Sequence, residues 1–282
     1  MADWEAPAKI NLDLRLRAAD STGRHPLRSL VQTVEWFDVL EVEPGDEDYL
    51  EIAGPAADAG IPDGGENLVW KAVEALELDS RPPLFVRLDK QTAAAAGLGG
   101  GSSDAAAMLE AVADLLGLPK EAVAGAASRV GADVPLFLTG GTVVLEGYGE
   151  RVTPVAALAG FAVAIAVPPF EIATADVYQR WDLLDRPLGA EMPSAVLPPT
   201  LRPEGPFRND LTPAALAVRP ELADWMSELS QRWGRTVMMS GSGPACFAYF
   251  LDEDEAHSAV GEVGEHRAAV AASLRPRGVS PR

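Results

Sequence analysis

Residues 93–103 read Ala-Ala-Ala-Ala-Gly-Leu-Gly-Gly-Gly-Ser-Ser and run directly into an apolar, helix-forming stretch, Asp104-Ala105-Ala106-Ala107-Met108-Leu109. Glycines at 97, 99, 100 and 101 remove the Cβ atoms that would keep a backbone away from a ligand. The first turn of a helix presents N–H groups without intrahelical partners, and its dipole is positive at that end. Together these features make a site for an anion, and a phosphate chain suits such a loop best. A tight strand-to-helix connection would explain the same glycines. The loop is not of the Walker A type, because no Gly-Lys-Ser/Thr closes it. Nor does an acidic ribose ligand follow at the distance a dinucleotide site needs. A cation serving this loop must come from elsewhere in the chain.

Working outward, residues 84–89 (LFVRLD) read as a strand that feeds the loop. In the helix that follows, Met108, Leu109, Val112, Leu115 and Leu116 recur at three- and four-residue steps, and Gly117 with Pro119 ends it. A second helix is expected at about 119–130, then Gly131-Ala132-Asp133-Val134-Pro135, and a strand at 142–145 after Gly140-Gly141. Upstream, Ile10, Leu12, Leu14 and Leu16 alternate with Asn11, Asp13, Arg15 and Arg17, which predicts a strand with one buried face. Lys9, Asn11 and Asp13 share its other face. Residues 27–42 read as further β-structure, and Glu66-Asn67-Leu68 opens a helix through Leu76, with Asn67 placed to cap it.

The pattern changes near 152–160, and a strand at 161–167 starts a second unit. The proline-rich segment 182–206 reads as an excursion, 213–232 as helices, and 237–239 as a short strand. A second glycine loop, Ser240-Gly241-Ser242-Gly243-Pro244, leads to a strand at 245–251. A last helix is expected at about 253–272, and the closing RPRGVSPR reads as disordered. Strands and helices are mixed without regular βαβ alternation, so the fold class is α+β rather than a doubly wound sheet.

Composition narrows the function. A net charge of −19 over 282 residues argues against nucleic acid as a partner, since phosphate-backbone binding needs a basic face. It also means that an anionic substrate needs a local positive pocket. The single cysteine, Cys246, excludes an intramolecular disulfide and suits a reducing compartment. No basic head followed by an apolar stretch opens the chain, and the longest apolar run, 161–167, is too short to span a bilayer. A cytoplasmic protein with no membrane partner is expected. Only 4 lysines stand against 19 arginines, which draws attention to each lysine.

Three segments now stand in order: Pro7-Ala8-Lys9-Ile10-Asn11-Leu12, the loop from Ala96 to the alanines after Asp104, and Ser240-Gly241-Ser242-Gly243-Pro244. Their order and spacing resemble the three motifs of the GHMP kinases, named for galactokinase, homoserine, mevalonate and phosphomevalonate kinases. With Gly131-Ala132-Asp133-Val134-Pro135, Gly140-Gly141-Thr142 and Asn209-Asp210-Leu211 added, the resemblance narrows to one branch. Those enzymes use ATP to phosphorylate the 2-hydroxyl of a cytidyl-diphosphate-linked methylerythritol, in the non-mevalonate route to isoprenoids. The resemblance implies a two-lobed fold with the site between the lobes. Residues 1–155 would form an ATP-binding lobe like the second domain of ribosomal protein S5. Residues 156–275 would form a ferredoxin-like lobe, with 276–282 as a disordered tail. It also implies a small-molecule cytidyl-diphosphate substrate, and a monomer or weak homodimer is expected.

The resemblance also assigns residues. Lys9 and Asp133 match the family's catalytic pair, with the aspartate taking the alcohol proton and the lysine supplying charge. Otherwise Lys9 would be a solvated strand residue and Asp133 a turn or cap residue. Ala93, Ala94, Ala95, Ala96, Gly97, Leu98, Gly99, Gly100, Gly101, Ser102 and Ser103 match the ATP-holding loop, with Asn67 near the nucleotide and Ser103 a candidate ligand for Mg²⁺. Asp104 is expected to cap the helix. Asn11, Arg24, His25, Thr174, Tyr178, Gly241, Ser242 and Gly243 fall on the substrate side. His25 would bond the cytosine edge and Tyr178 would stack on the base. The family has Asp-Gly-Tyr-His where this chain has Thr22-Gly23-Arg24-His25, so a guanidinium stands in the place of a stacking tyrosine. The alternatives are a homoserine- or mevalonate-type kinase, or a nucleotide-binding relative without turnover.

Overall fold

A computed structural model of the chain describes residues 3–57, 60–158, 160–184 and 208–282. Most of the proline-rich excursion expected at 182–206 lies outside them. The chain begins with two long strands, β1 (Trp4–Leu16) and β2 (Leu27–Pro44), followed by β3 (Tyr49–Ala53), α1 (Leu68–Ala75) and β4 (Leu84–Asp89). Three helices come next, α2 (Gly100–Leu116), α3 (Lys120–Val130) and α4 (Val134–Thr139), and then β5 (Thr142–Gly147) and β6 (Arg151–Pro154). Strand β2 is long enough to serve two partners. Its second half pairs with β4 and its first half with β5, so one strand holds both arms of the first sheet. The four helices cover one face of that sheet, where Leu40, Val86, Met108, Leu109 and Phe137 join a single apolar cluster.

The second lobe contains β7 (Ala162–Val167), α5 (Thr174–Asp182), α6 (Thr212–Val218), α7 (Glu221–Trp233), β8 (Met238–Met239), β9 (Cys246–Phe250), α8 (Glu253–Gly261) and β10 (Ala268–Ser273). Its four strands, in the order β10-β7-β9-β8, are all antiparallel. Among the described residues no helix is long and apolar enough to cross a membrane.

Strand β1 departs from expectation. The period-two alternation is present, but both faces are buried. Ala8, Ile10 and Leu12 pack against Val163, Ile165, Val167 and Phe247 of the second lobe. Lys9, Asn11 and Asp13 are also buried, and Lys9 lies under the glycine loop, where its amide donates to the Leu98 carbonyl at 2.9 Å. Alternation in polarity marks two chemically different environments, not a wet face and a dry one. The register with β2 also shifts on either side of Lys9 and Asn11, between Pro7 and Lys9 and between Asn11 and Asp13. Bulges of this kind re-aim side chains.

The carboxyl-terminal expectations fail as well. The helix placed at 253–272 stops at Gly261, and Ala268–Ser273 is strand β10, paired along its length with β7. Alanine favours helix in isolation, but the ladder overrides that preference. The tail 276–282 is ordered: β11 (Ser280–Pro281) adds to the edge of β1 in the first sheet. Arg275 is fully buried between Glu5 (2.9 Å) and Glu35 (2.7 Å), which compensates its charge. The chain thus leaves the second lobe by β10 and returns to the first.

Candidate active site

Between the lobes lies a cavity of about 650 Å³. It is walled by the 93–97 and 99–102 parts of the glycine loop, by Lys9 and Asn11 of β1, and by Asn67 before α1. Asp133 before α4, Thr174 and Tyr178 of α5, and Gly241 and Ser242 of the second glycine loop complete it. Five expected residues do not line it. Leu98 is buried beneath the loop, Ser103 is fully enclosed, and Gly243 turns toward Met239. Arg24 and His25 line a separate cavity of about 370 Å³, which shares Leu27 and Tyr178 with the larger one.

Helix α2 starts at Gly100, behind a left-handed Gly99. Its first intrahelical bond runs from the Ser103 amide to the Gly99 carbonyl, at 3.0 Å. The amides of Gly100, Gly101 and Ser102 therefore precede the ladder, at the positive end of a 17-residue helix that faces the cavity. The glycines serve packing as much as ligand access. A Cβ on Gly97 would stand 2.3 Å from the Ser240 carbonyl oxygen, and one on Gly241 would meet the Gly97 oxygen at 3.1 Å and Lys9 Nζ at 3.2 Å. The two glycine loops interlock over Lys9.

Hydrogen bonds hold this junction. Lys9 Nζ donates to Asn11 Oδ1 at 2.5 Å, and Asn11 Nδ2 donates to Ser29 Oγ at 2.9 Å. Ser240 Oγ donates to the Gly97 carbonyl at 2.9 Å. Asn209 Nδ2 reaches the carbonyls of Met239 (2.9 Å) and Gly241 (2.7 Å), which gives the Asn209-Asp210-Leu211 motif a role in holding the second loop. Thr174 and Ser242 share a hydrogen bond of 2.7 Å between α5 and the second glycine loop.

Burial holds the Lys9 ammonium below its ordinary pKa, and the charge of Asp133 acts in the opposite direction. The Tyr178 phenol is pushed up to about 12 by burial and then by Asp133. Asp133 thus acts electrostatically on residues from both sides of the cavity. It stands at the N-cap position of α4, yet its side chain makes no capping bond. Asn67 does cap α1, its Oδ1 accepting from the Val69 amide at 2.9 Å, while also lining the cavity.

The expected capping role of Asp104 is overturned. Asp104 is the fifth residue of α2, inside the helix, and its carboxylate accepts from Lys90 Nζ at 2.7 Å. Lys90 also donates to Asp38 at 2.5 Å, and Asp38 takes the Gln91 and Thr92 amides at 2.6 and 2.7 Å. Burial works against the Lys90 charge, but Asp104 and Asp38 outweigh it and push its pKa up to about 12. Lys90 lines the cavity and falls in none of the sequence motifs, although it is one of the four lysines.

This architecture is that of a GHMP kinase. Residues 67–141 match the GHMP kinases N terminal domain, and residues 203–269 match the GHMP kinases C terminal family. The homoserine kinase of Cytophaga hutchinsonii shares the fold with a TM-score of 0.68 at 18% identity, covering 99% of this chain and 96% of that one. Nearer in sequence is the 4-diphosphocytidyl-2-C-methyl-D-erythritol kinase of Methylorubrum extorquens, 39% identical over 272 residues and 92% of each chain. That of Geobacter sulfurreducens is 33% identical over 275 residues, covering 96% of this chain and 97% of its own. A crystal structure of 4-(cytidine 5'-diphospho)-2C-methyl-D-erythritol kinase superposes with a TM-score of 0.79 at 34% identity, covering 96% of this chain and 98% of that one. The chain belongs to the 4-diphosphocytidyl-2-C-methyl-D-erythritol kinase family.

Proposed function

We propose that this cleft moves the terminal phosphoryl group of ATP onto the 2-hydroxyl of 4-diphosphocytidyl-2-C-methyl-D-erythritol. The products are the 2-phosphate and ADP, and the 2-phosphate belongs to the non-mevalonate route to isoprenoid precursors. The observation that carries the reading is the convergence of Lys9, Asp133 and the α2 N-terminus on one cavity.

Phosphoryl transfer has a loose transition state, so catalysis is mainly positioning and charge stabilisation. The amides of Gly100, Gly101 and Ser102 cradle the phosphates. Asp133 accepts the proton as the substrate oxygen bonds to phosphorus and the bond to ADP breaks. Its freedom from capping supports that role. Lys9 lies within Coulombic reach of Asp133 and offsets charge on the moving group. Asn11 holds the ammonium in place.

Among the described residues no three acidic, imidazole or thiol side chains stand close enough to cage a cation. Mg²⁺ travelling with ATP would supply neutralisation of phosphate charge. Ser102 offers a hydroxyl at the cavity wall, whereas Ser103 Oγ, without a hydrogen-bond partner, is enclosed behind it at the same turn. Hydroxyls are suitable hard ligands for Mg²⁺. The smaller cavity by His25 and Tyr178 suits the cytidyl end.

A coupled ADP-release assay with the cytidyl alcohol, homoserine and mevalonate tests this function. Turnover with the cytidyl alcohol is expected. ADP release with homoserine or mevalonate alone would overturn it.

A further inference from the structure

Resting on the cytidyl-substrate reading, we infer that Arg24 and Tyr148 together build one wall of the base pocket, with the guanidinium plane as the surface on which the cytosine stacks. The Arg24 guanidinium carbon lies 3.9 Å from the centre of the Tyr148 ring. Both residues line the smaller cavity, with His25, Leu27, Tyr178 and Asp182 around it. Arg24 itself is solvent-exposed. An arginine so exposed would ordinarily sample many rotamers, and such a side chain makes a poor stacking platform. Here it is laid against a ring.

The ring is itself held. Tyr148 sits between β5 and β6, flanked by Gly147 and Gly149 at φ +73° and +115°. Its amide donates to Glu150 Oε2 at 2.7 Å, and its hydroxyl donates to the Asp20 carboxylate. Asp20 also organises the turn that carries Arg24. Its Oδ1 accepts from the Thr22 amide (2.8 Å) and hydroxyl (2.6 Å), its amide donates to the Arg24 carbonyl (2.9 Å), and its own carbonyl accepts from Gly23. Hydrogen bonds from Thr22 and then Tyr148 hold the Asp20 carboxyl down at about 2, so it remains an acceptor. Asp20 thus holds both members of the pair, Tyr148 through its carboxylate and the backbone of Arg24 through its amide, although Tyr148 is 128 residues away from it.

In the same cavity His25 and Tyr178 approach at 5.5 Å between ring centres, and His25 Nε2 is 2.6 Å from Asp182 Oδ1. A planar base entering between these rings and Arg24 meets a flat cation on one side and an aromatic on the other. Guanidinium planes stack on aromatic faces, whereas an ammonium is only a point charge. The aromatic ring expected at position 24 is thereby supplied one layer back, from position 148.

The test uses the full chain with Arg24→Ala, Arg24→Lys, Tyr148→Ala and Tyr148→Phe. Stacking on a base is commonly worth a KM change of about tenfold. Arg24→Ala, Arg24→Lys and Tyr148→Ala are expected to raise KM for the cytidyl alcohol by about that factor. The loss falls there while kcat and KM for ATP stay within about twofold, and Tyr148→Phe, which keeps the ring face, loses less than Tyr148→Ala. Calorimetric binding of cytidine, which carries no phosphate, should weaken in parallel. Unchanged KM in Arg24→Ala and Tyr148→Ala, full function in Arg24→Lys, or weakened binding of CDP with unweakened binding of cytidine each overturn the platform. If the wild-type chain does not phosphorylate the cytidyl alcohol, the proposed function fails separately. The cytidine comparison between wild type and Arg24→Ala then still decides the platform.

Discussion

Asp104 and Lys90 form a buried ion pair of 2.7 Å directly behind the glycine loop, where α2 begins. Asp38 completes it from β2, at 2.5 Å from the same ammonium. The cluster ties the end of β4 to the first turns of α2 and to β2, so it sets where the first-turn amides of α2 stand. Removing the ammonium would leave two buried carboxyl groups facing each other with no cation to hold their charge. Lys90→Met should therefore cost about 3–5 kcal/mol of stability, the usual loss when one partner of a buried pair is removed. Urea denaturation measures it, and a midpoint equal to wild type would dismiss the cluster as a structural anchor.

The same pair predicts a pH dependence. Burial pushes the Asp104 carboxyl up to about 8; Lys90 opposes the shift and Asp38 adds to it. In the unfolded chain an aspartate titrates at about 3.9. Between those values the folded protein keeps a proton that the unfolded chain has released, so stability falls as pH rises through the window. Lys90, raised to about 12, keeps its charge throughout. The urea midpoint should be lower at about pH 8.5 than at about pH 6, and Asp104→Asn should shrink that difference. An identical difference in both proteins would count against a raised Asp104.

The contact between the glycine loops predicts a third result. Gly97 has φ +78°, and a Cβ there would lie 2.3 Å from backbone of the second loop. Gly97→Ala should lower the thermal midpoint and raise KM for ATP together, because the loops must separate to admit the methyl group. The strain is about 1–3 kcal/mol. Thermal melts and initial-rate kinetics check it, and wild-type values for both would show that the interlock is slack.

Much of the site was readable because its chemistry is written in short segments. The glycine loop, Lys9, Asn67, Asp133 and the second glycine loop each carry a local pattern, and they line one cavity. What could not be read depends on partners far along the chain. Asp104 follows the loop as a cap would, but Lys90, 14 residues away, and Asp38, 52 residues from Lys90, make it an ion-pair residue. Arg275 sits in a stretch whose arginines and prolines suggest disorder. Glu5 and Glu35, 270 and 240 residues away, bury it. Arg24 likewise departs from the family pattern, and nothing near it in sequence announces Tyr148. Strand β1 shows the same limit, because alternation reports which side chains share a face but not what covers that face.

The central claim is that Asp133 and Lys9 act as a unit on an alcohol in this cavity. Phosphorus NMR of the full chain with ATP, Mg²⁺ and the cytidyl alcohol tests it most directly, with wild type, Asp133→Asn, Lys9→Ala and the double variant compared. Wild type should produce ADP and a new phosphomonoester signal. Asp133→Asn should remain folded and slow that signal by about 10²-fold or more, the scale of a lost general base. Lys9→Ala should be similarly slow, and the double variant no slower than either single one. A monoester signal growing at the wild-type rate in Asp133→Asn would contradict the account.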